Sequence, residues 1–184
     1  MPLSQFAEPI ESAGGFKAYR MDSTKEGSNM RSTAGLGTCE CCDYVTVSKD
    51  NQSVVFIEET NLESTIVDFK ERYDYLSDAD QVDLLYDEVL KEHRLKLYGS
   101  MLVLCRLSCS QDKVKDFLPD DEFQFWLVTT STPPSDSVIL MDNLTDNLRG
   151  FLKSPLTREM MDVIDIIPST ELAEKLSDKA MEVE

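Results

Sequence analysis

Two β-rich segments stand out in the pattern of apolar and polar positions along the chain. CDYVTVSK and QSVVFIEET are separated by Asp50-Asn51, a two-residue turn signal, and together they predict a β-hairpin. The second segment contains four consecutive apolar residues, VVFI at 54–57. A strand that is apolar on both faces is typical of the middle of a sheet that is covered on both sides, and we expect this strand there.

Helical and extended patterns alternate after the hairpin. Apolar residues at helical spacing predict helices over 62–75 and 78–107, and Ser77 with Asp80 has the spacing of a capping box. The last turns of the second helix are apolar nearly all round, so we expect its end to be buried. Further patterns predict strands at 122–131 and 161–168, a helix over 135–152 and a final helix that ends near Lys179. This order predicts an α/β fold, with α+β as the alternative.

The length of the chain indicates one domain. A chain of 184 residues can bury one good core but is too short for two ordinary domains. Residues 1–38 contain Gly-rich and Ser-rich stretches around a short strand candidate, FKAYRM, and predict a loop-rich N-terminal arm. We therefore expect a single α/β domain over 39–184.

The predicted hairpin brings two carboxylates to one place. With Asp50 and Asn51 in the turn, Val45 lies opposite Phe56 and Asp43 lies opposite Glu58 on the same face of the sheet. Like charges in this arrangement are destabilising unless a cation, a proton or solvent relieves them. Two interpretations follow. The pair is half of a Mg²⁺ site, or both side chains point into water where the sheet ends.

A family resemblance rests on these same residues. Asp43, followed by a strand that ends in Ile57-Glu58-Glu59-Thr60, resembles the core motif of the PD-(D/E)XK, or restriction-endonuclease-like, nuclease superfamily. The segments CDY and FIEE resemble those of many such bacterial domains, and the resemblance covers roughly residues 39–130. It implies a mixed sheet with the hairpin at 43–59 flanked by helices, and it implies Asp43 and Glu58 as ligands of Mg²⁺.

The resemblance also implies a lysine two residues beyond Glu58, where this chain has Thr60. A threonine hydroxyl cannot supply a positive charge, so either the lysine comes from elsewhere in the fold or the site is not catalytic. Some members of the superfamily place the lysine on a helix instead. Three lysines of the predicted helices are candidates for this role, Lys70, Lys91 and Lys96. Of these we predict Lys96 as the catalytic residue, together with Asp43 and Glu58. Glu8 or Glu11 could supply the acidic residue that the family's first helix often adds.

The charge of the chain changes the functional expectation. Its 18 basic and 35 acidic residues give a net charge of −17, which repels the phosphates of a nucleic acid. Together with Thr60, this predicts a noncatalytic adaptor or regulator on a nuclease-like fold, with a protein partner and no cofactor. By analogy, its setting would be a bacterial or phage defence or nucleic-acid-processing complex. The alternatives are an active Mg²⁺-dependent nuclease and an acidic mimic of nucleic acid that inhibits a basic protein.

Three remaining patterns concern the location of the protein, its cysteines and its histidine. No apolar stretch approaches a membrane span and the N-terminus lacks a signal peptide, so we expect a soluble cytoplasmic protein without a membrane partner. The five cysteines, Cys39, Cys41, Cys42, Cys105 and Cys109, would be reduced, and they either form a metal site or act as small apolar residues. The sole histidine, His93, has charged neighbours, and we expect it on the surface of its helix.

Overall fold

A computed structural model describes residues 9–11, 17–22, 29–48, 53–109, 122–129, 143, 146–147, 150, 160–178 and 181–182. The strands are β1 (Pro9–Glu11), β2 (Lys17–Arg20), β3 (Tyr44–Ser48), β4 (Ser53–Thr60), β5 (Glu122–Thr129), β6 (Val163–Pro168) and β7 (Met181–Glu182). The helices are α1 (Met30–Thr33), α2 (Leu62–Arg72), α3 (Asp78–Cys109), a short 3₁₀ helix (Ser169–Glu171) and α4 (Leu172–Asp178).

The strands form one mixed sheet in the order β1-β2-β3-β4-β5-β6. Neighbouring strands are antiparallel from β1 to β4 and parallel from β4 to β6. β7 pairs with the far end of β3, beyond the residues that β2 contacts. The α/β class predicted from the sequence is therefore confirmed. Residues of the N-terminal arm contribute β1, β2 and α1 to this same sheet and its core.

The predicted register of the hairpin is confirmed. Val45 pairs with Phe56 and Val47 with Val54 between β3 and β4, which is the register expected for a turn at residues 50 and 51. The turn at Asp50-Asn51 lies outside the described residues. The ladder ends at the pair of Tyr44 with Ile57, so the next position on each strand is a carboxylate.

β4 is buried on both faces, as its apolar run predicts. On one face, Val54 and Phe56 pack with α2 and α3, whereas on the other Val55 and Ile57 pack with α4. Because side chains alternate along a strand, Glu58 lies on the same face as Phe56, toward α3. This alternation directs a carboxylate at a helix rather than at solvent.

The predicted helices begin where the sequence places them. α2 and α3 start within a residue of their expected positions, and the Ser77 hydroxyl oxygen accepts a hydrogen bond from the Asp80 N–H at 3.3 Å, as a helix N-cap does. The predicted helix over 135–152 lies largely outside the described residues.

The expectation of a buried end for α3 is confirmed on one side of the helix only. Leu104 and Leu107 are buried, but Leu102, Cys105 and Cys109 are exposed. One side of the helix faces the sheet and the other faces solvent, so its apolar composition overstates its burial. Within the described part of the chain, no helix combines the length and the apolar character that crossing a membrane requires.

Leu104→Ala and Leu102→Ala form a matched pair that tests this orientation of α3. Leu104 is 0% exposed and Leu102 is 52% exposed. We expect Leu104→Ala to lower the free energy of unfolding by about 2–5 kcal/mol because it leaves a cavity, and Leu102→Ala to change it by less than about 0.5 kcal/mol. Urea denaturation of both variants measures the difference. Equal losses would contradict the orientation.

Candidate functional site

Asp43 is fixed by hydrogen bonds at the start of the hairpin. One carboxylate oxygen, Oδ2, accepts from the Glu59 N–H at 2.9 Å, and the Asp43 carbonyl accepts from the Met21 N–H at 2.9 Å. The first bond ties the side chain to β4, and the second continues the pairing toward β2. Asp43 is thus held against the strand that carries Glu58.

A second set of contacts holds the segment that leads to Asp43. Arg31 forms an ion pair with Asp22 at 2.6 Å and donates a hydrogen bond from Nη1 to the Cys39 carbonyl at 3.0 Å. A long chain segment precedes β3, and these bonds fix it to α1. The backbone entering Asp43 is therefore anchored as well as its side chain.

Lys96 meets the hairpin at Glu58. The Lys96 Nζ donates to Oε1 of Glu58, and it also pairs with Glu92 at 3.2 Å one helical turn away. Among the lysines that the sequence offered, Lys70 and Lys91 are exposed to solvent. The structure therefore brings Lys96 together with Glu58 and Asp43. The role of these residues in catalysis stays a prediction.

The remaining sequence candidates lie elsewhere. Thr60 pairs with Thr129 in the β4–β5 ladder. Glu11 lies on β1, which β2 separates from the hairpin, and Glu8 lies outside the described residues. The acidic residue expected from a first helix is thus not identified. Glu92 was missed by the sequence reasoning, although its i, i+4 spacing from Lys96 is a known signal for an ion pair.

Glu58 is the most perturbed carboxylate of this site. It is 2% exposed, and its Oε2 has no hydrogen-bond partner among the described residues. Burial, and then the negative charge of Asp43, raise the pKa of Glu58 to about 8, while the Lys96 ammonium acts in the opposite direction. Burial also raises the pKa of Asp43 from its ordinary value, against the lowering effects of the Glu59 N–H and Lys96.

Lys96 keeps its positive charge in its contact with Glu58. Burial disfavours its ammonium form, but the carboxylates of Glu58 and Glu92 outweigh burial and raise the pKa of Lys96. As pH falls below about 8, Glu58 therefore takes up a proton while Lys96 keeps its own. When both carboxylates at the end of the hairpin are ionised, the one ammonium compensates only part of their charge.

The donor set of the site fits a hard cation. No group of three or more His, Cys, Asp or Glu side chains suited to a metal occurs in the parts of the chain that the structure describes. Two carboxylates do suit Mg²⁺, which usually binds one or two and keeps water or substrate oxygens as its other ligands. The buried Oε2 of Glu58, which has no partner among the residues that the structure describes, is an acceptor that such a cation would satisfy.

His93 is buried, contrary to the expectation of a surface position. It is 2% exposed and its Nδ1 has no hydrogen-bond partner among the described residues. Burial lowers the pKa of His93 to about 4, so the ring is neutral at pH 7. Its spacing of four from Val89 and from Leu97, both buried, was the signal for this position, and the charged neighbours in sequence obscured it.

Among the described residues, the five cysteines belong to no group of three or more side chains suited to a metal. All five lie within the described residues and all are free thiols. Cys41 and Cys42 are buried beside the hairpin, and Cys105 and Cys109 are exposed on α3. Burial raises the pKa of Cys41 to about 12, so its thiol stays protonated. Of the two alternatives, the structure supports the small apolar role for Cys41 and Cys42.

Glu58→Gln should alter the dependence of stability on pH. Because folding raises the pKa of Glu58, its carboxyl contributes stability that is fully present below pH 4.5, the pKa in the unfolded chain. This stability is lost as pH rises through about 8, the pKa in the folded protein. Relative to Glu58→Gln, the wild-type free energy of unfolding should therefore fall by a few kcal/mol between pH 5 and pH 8. Urea denaturation in EDTA measures this difference.

Glu71→Gln, which removes an exposed carboxylate of α2, is the control and should follow the wild type at both pH values. A difference between wild type and Glu58→Gln that stays constant from pH 5 to pH 8 would show that Glu58 titrates as an ordinary surface acid.

None of the protein-family models, curated proteins or solved structures that were compared with this chain matches it.

Proposed function

We propose that the protein is a Mg²⁺-dependent phosphodiester hydrolase of the PD-(D/E)XK type. Asp43 and Glu58 would hold the cation, and Lys96 would supply the positive charge that the family's lysine normally provides. The observation that carries this proposal is the contact between the Lys96 Nζ and Oε1 of Glu58. It gives the site a lysine that the strand itself lacks.

The contact changes the balance between the hypotheses drawn from the sequence. Thr60 in the lysine position had favoured a protein without catalysis. A lysine that reaches the same glutamate from α3 removes that objection, because electrostatic stabilisation depends on where the charge lies and not on which element carries it. The order of hairpin, helices and a parallel strand beside β4 also accords with the resemblance.

The burial of the site suits catalysis by charge. A buried ion pair is weak evidence for stability, because removing both charges from water costs about as much as their attraction gains. Here a third charge, Asp43, makes the arrangement costlier still. Charged groups that a protein keeps together in a buried place, although their burial lowers its stability, are typical of functional sites.

Each of the four residues of the candidate site would have its own part in the reaction. When bound, Mg²⁺ would polarise a phosphoryl oxygen and lower the pKa of a water molecule. Asp43 and Glu58 would supply the anionic ligands. Lys96, partly shielded from solvent, would stabilise negative charge that develops on the phosphate. Glu92 would hold the Lys96 ammonium in place when Glu58 is engaged with the cation.

A second candidate function is a noncatalytic interaction protein, and the net charge of −17 favours it. A nuclease must hold a polyanion, and a chain this acidic repels one. In this role the protein would bind a basic partner, as an adaptor or as a mimic of nucleic acid, in a cytoplasmic complex for defence or nucleic-acid processing. The same charge is compatible with catalysis if a basic partner delivers the substrate.

Lys96→Met tests the proposal because it keeps the aliphatic stem and removes only the charge. Wild-type protein should cleave DNA or RNA with Mg²⁺ or Mn²⁺, and Lys96→Met should lose about 10²–10³-fold in rate. Divalent binding should persist or tighten in this variant, since the ammonium no longer competes for Glu58. Single-stranded and double-stranded substrates are assayed together with Mn²⁺ binding by electron paramagnetic resonance.

Lys91→Met removes an exposed lysine of the same helix and should stay within about twofold of wild type. Asp43→Asn and Glu58→Gln should lose both binding and cleavage. Mn²⁺ binding without cleavage of any nucleic acid would support the second candidate, whereas neither binding nor cleavage in the wild type would exclude the proposed hydrolase.

A further inference from the structure

α3 and the segment before Asp43 approach each other backbone to backbone at Gly99. A Cβ added to Gly99 would lie 1.6 Å from the Glu40 carbonyl oxygen, 2.8 Å from the Glu40 carbonyl carbon and 2.9 Å from the Cys39 Sγ. Only glycine allows this approach, and a glycine inside a helix is otherwise unfavourable compared with alanine. Gly99 therefore has a packing role in joining the helix to the segment.

Ser100, the next residue, bonds to both sides of this contact. Its hydroxyl accepts a hydrogen bond from the Cys42 N–H at 2.8 Å and donates one to the Lys96 carbonyl at 2.7 Å. Ser100 is 0% exposed, so water cannot replace either bond. One hydroxyl thus connects the residue before Asp43 with the backbone of Lys96.

Ser108 shows what is particular to Ser100. It is also buried on α3, and its hydroxyl donates to the Leu104 carbonyl at 2.9 Å, four residues earlier. Such bonds to the preceding turn are common for serine in helices. At Ser100 there is in addition a bond to the backbone of a residue 58 positions away, and that residue adjoins the site.

The three members of the candidate site are fixed in different ways. Asp43 and Glu58 are related through the β3–β4 pairing and the Glu59 hydrogen bond. Lys96 belongs to a separate element, α3, and reaches them through a long side chain. The position of its backbone relative to Asp43 therefore depends on how α3 contacts residues 39–42.

We propose that Gly99 and Ser100 are positioning residues that set the distance between Lys96 and the Asp43–Glu58 pair. The inference rests on the proposed function of that site. Gly99 permits the close approach, and the Ser100 hydroxyl fixes the orientation of the two backbones. Together they align the charges before any cation binds, so the site has less freedom to lose on binding.

Ser100→Ala and Ser108→Ala make the matched comparison. Both remove a buried hydroxyl from α3, but only the first leaves the Cys42 N–H without its acceptor. We expect Ser100→Ala to weaken Mn²⁺ binding roughly tenfold, as loss of supporting hydrogen bonds does in metal sites, and Ser108→Ala to stay within about twofold of wild type. Electron paramagnetic resonance of free Mn²⁺ with the full chain gives both values.

A second readout does not depend on a metal. The hydrogen bonds of the Lys96 ammonium to Glu58 and Glu92 should slow the exchange of its protons with water, so that nitrogen-15 NMR detects them. In the metal-free protein this signal should persist in Ser108→Ala and broaden or vanish in Ser100→Ala. If Ser100→Ala does not fold, Ser100→Cys keeps nearly the same side-chain volume with a weaker acceptor and should shift both readouts in the same direction.

The possible outcomes separate the inference from the proposed function. Mn²⁺ binding and a Lys96 signal in Ser100→Ala equal to those of wild type would overturn the positioning role. Equal losses in Ser100→Ala and Ser108→Ala would also overturn it, since they would reflect general loosening of α3. If the wild type binds no Mn²⁺, the proposed function fails, and the Lys96 signal alone decides whether Ser100 positions the ion pair.

Discussion

The ion pair of Lys96 with Glu58 joins the long helix α3 to the central strand β4. Both side chains are largely withdrawn from water, and Asp43 adds a second negative charge nearby. Water would otherwise solvate these charges, so the protein must compensate them internally. The Lys96 ammonium and the Glu59 N–H do so in part, and Oε2 of Glu58 has no hydrogen-bond partner in the described part of the chain. The proposed cation site follows from this incomplete compensation.

The parts of the site that depend on strand pairing were predictable from the sequence. An apolar run and a two-residue turn signal determine which residues oppose each other, and the observed pairs of Val45 with Phe56 and Val47 with Val54 follow that arithmetic. The placement of Asp43 beside the strand that carries Glu58 could therefore be predicted without the tertiary structure. Short-range periodicity carries this information because each strand face alternates strictly.

The parts that depend on how the helix lies against the sheet were not predictable in the same way. Lys70, Lys91 and Lys96 were all candidates by sequence, and the packing of α2 and α3 decides among them by leaving Lys70 and Lys91 exposed and placing Lys96 against Glu58. The packing of α3 also buries His93 and exposes Cys105, and both differ from what their neighbours in sequence indicate. Gly99 is a sequence signal of this packing, since a glycine inside a helix is unfavourable unless close packing requires it.

The central claim is that the Asp43 and Glu58 carboxylates hold a divalent cation beside Lys96. A crystal structure of the wild-type protein grown with Mn²⁺ tests it most directly, because the anomalous scattering of manganese locates the ion without reference to activity. The account predicts an anomalous peak in contact with oxygens of both Asp43 and Glu58, with the Lys96 ammonium next to it. Mn²⁺ bound elsewhere, with Lys96 still paired to Glu58 and no peak at the two carboxylates, would contradict it.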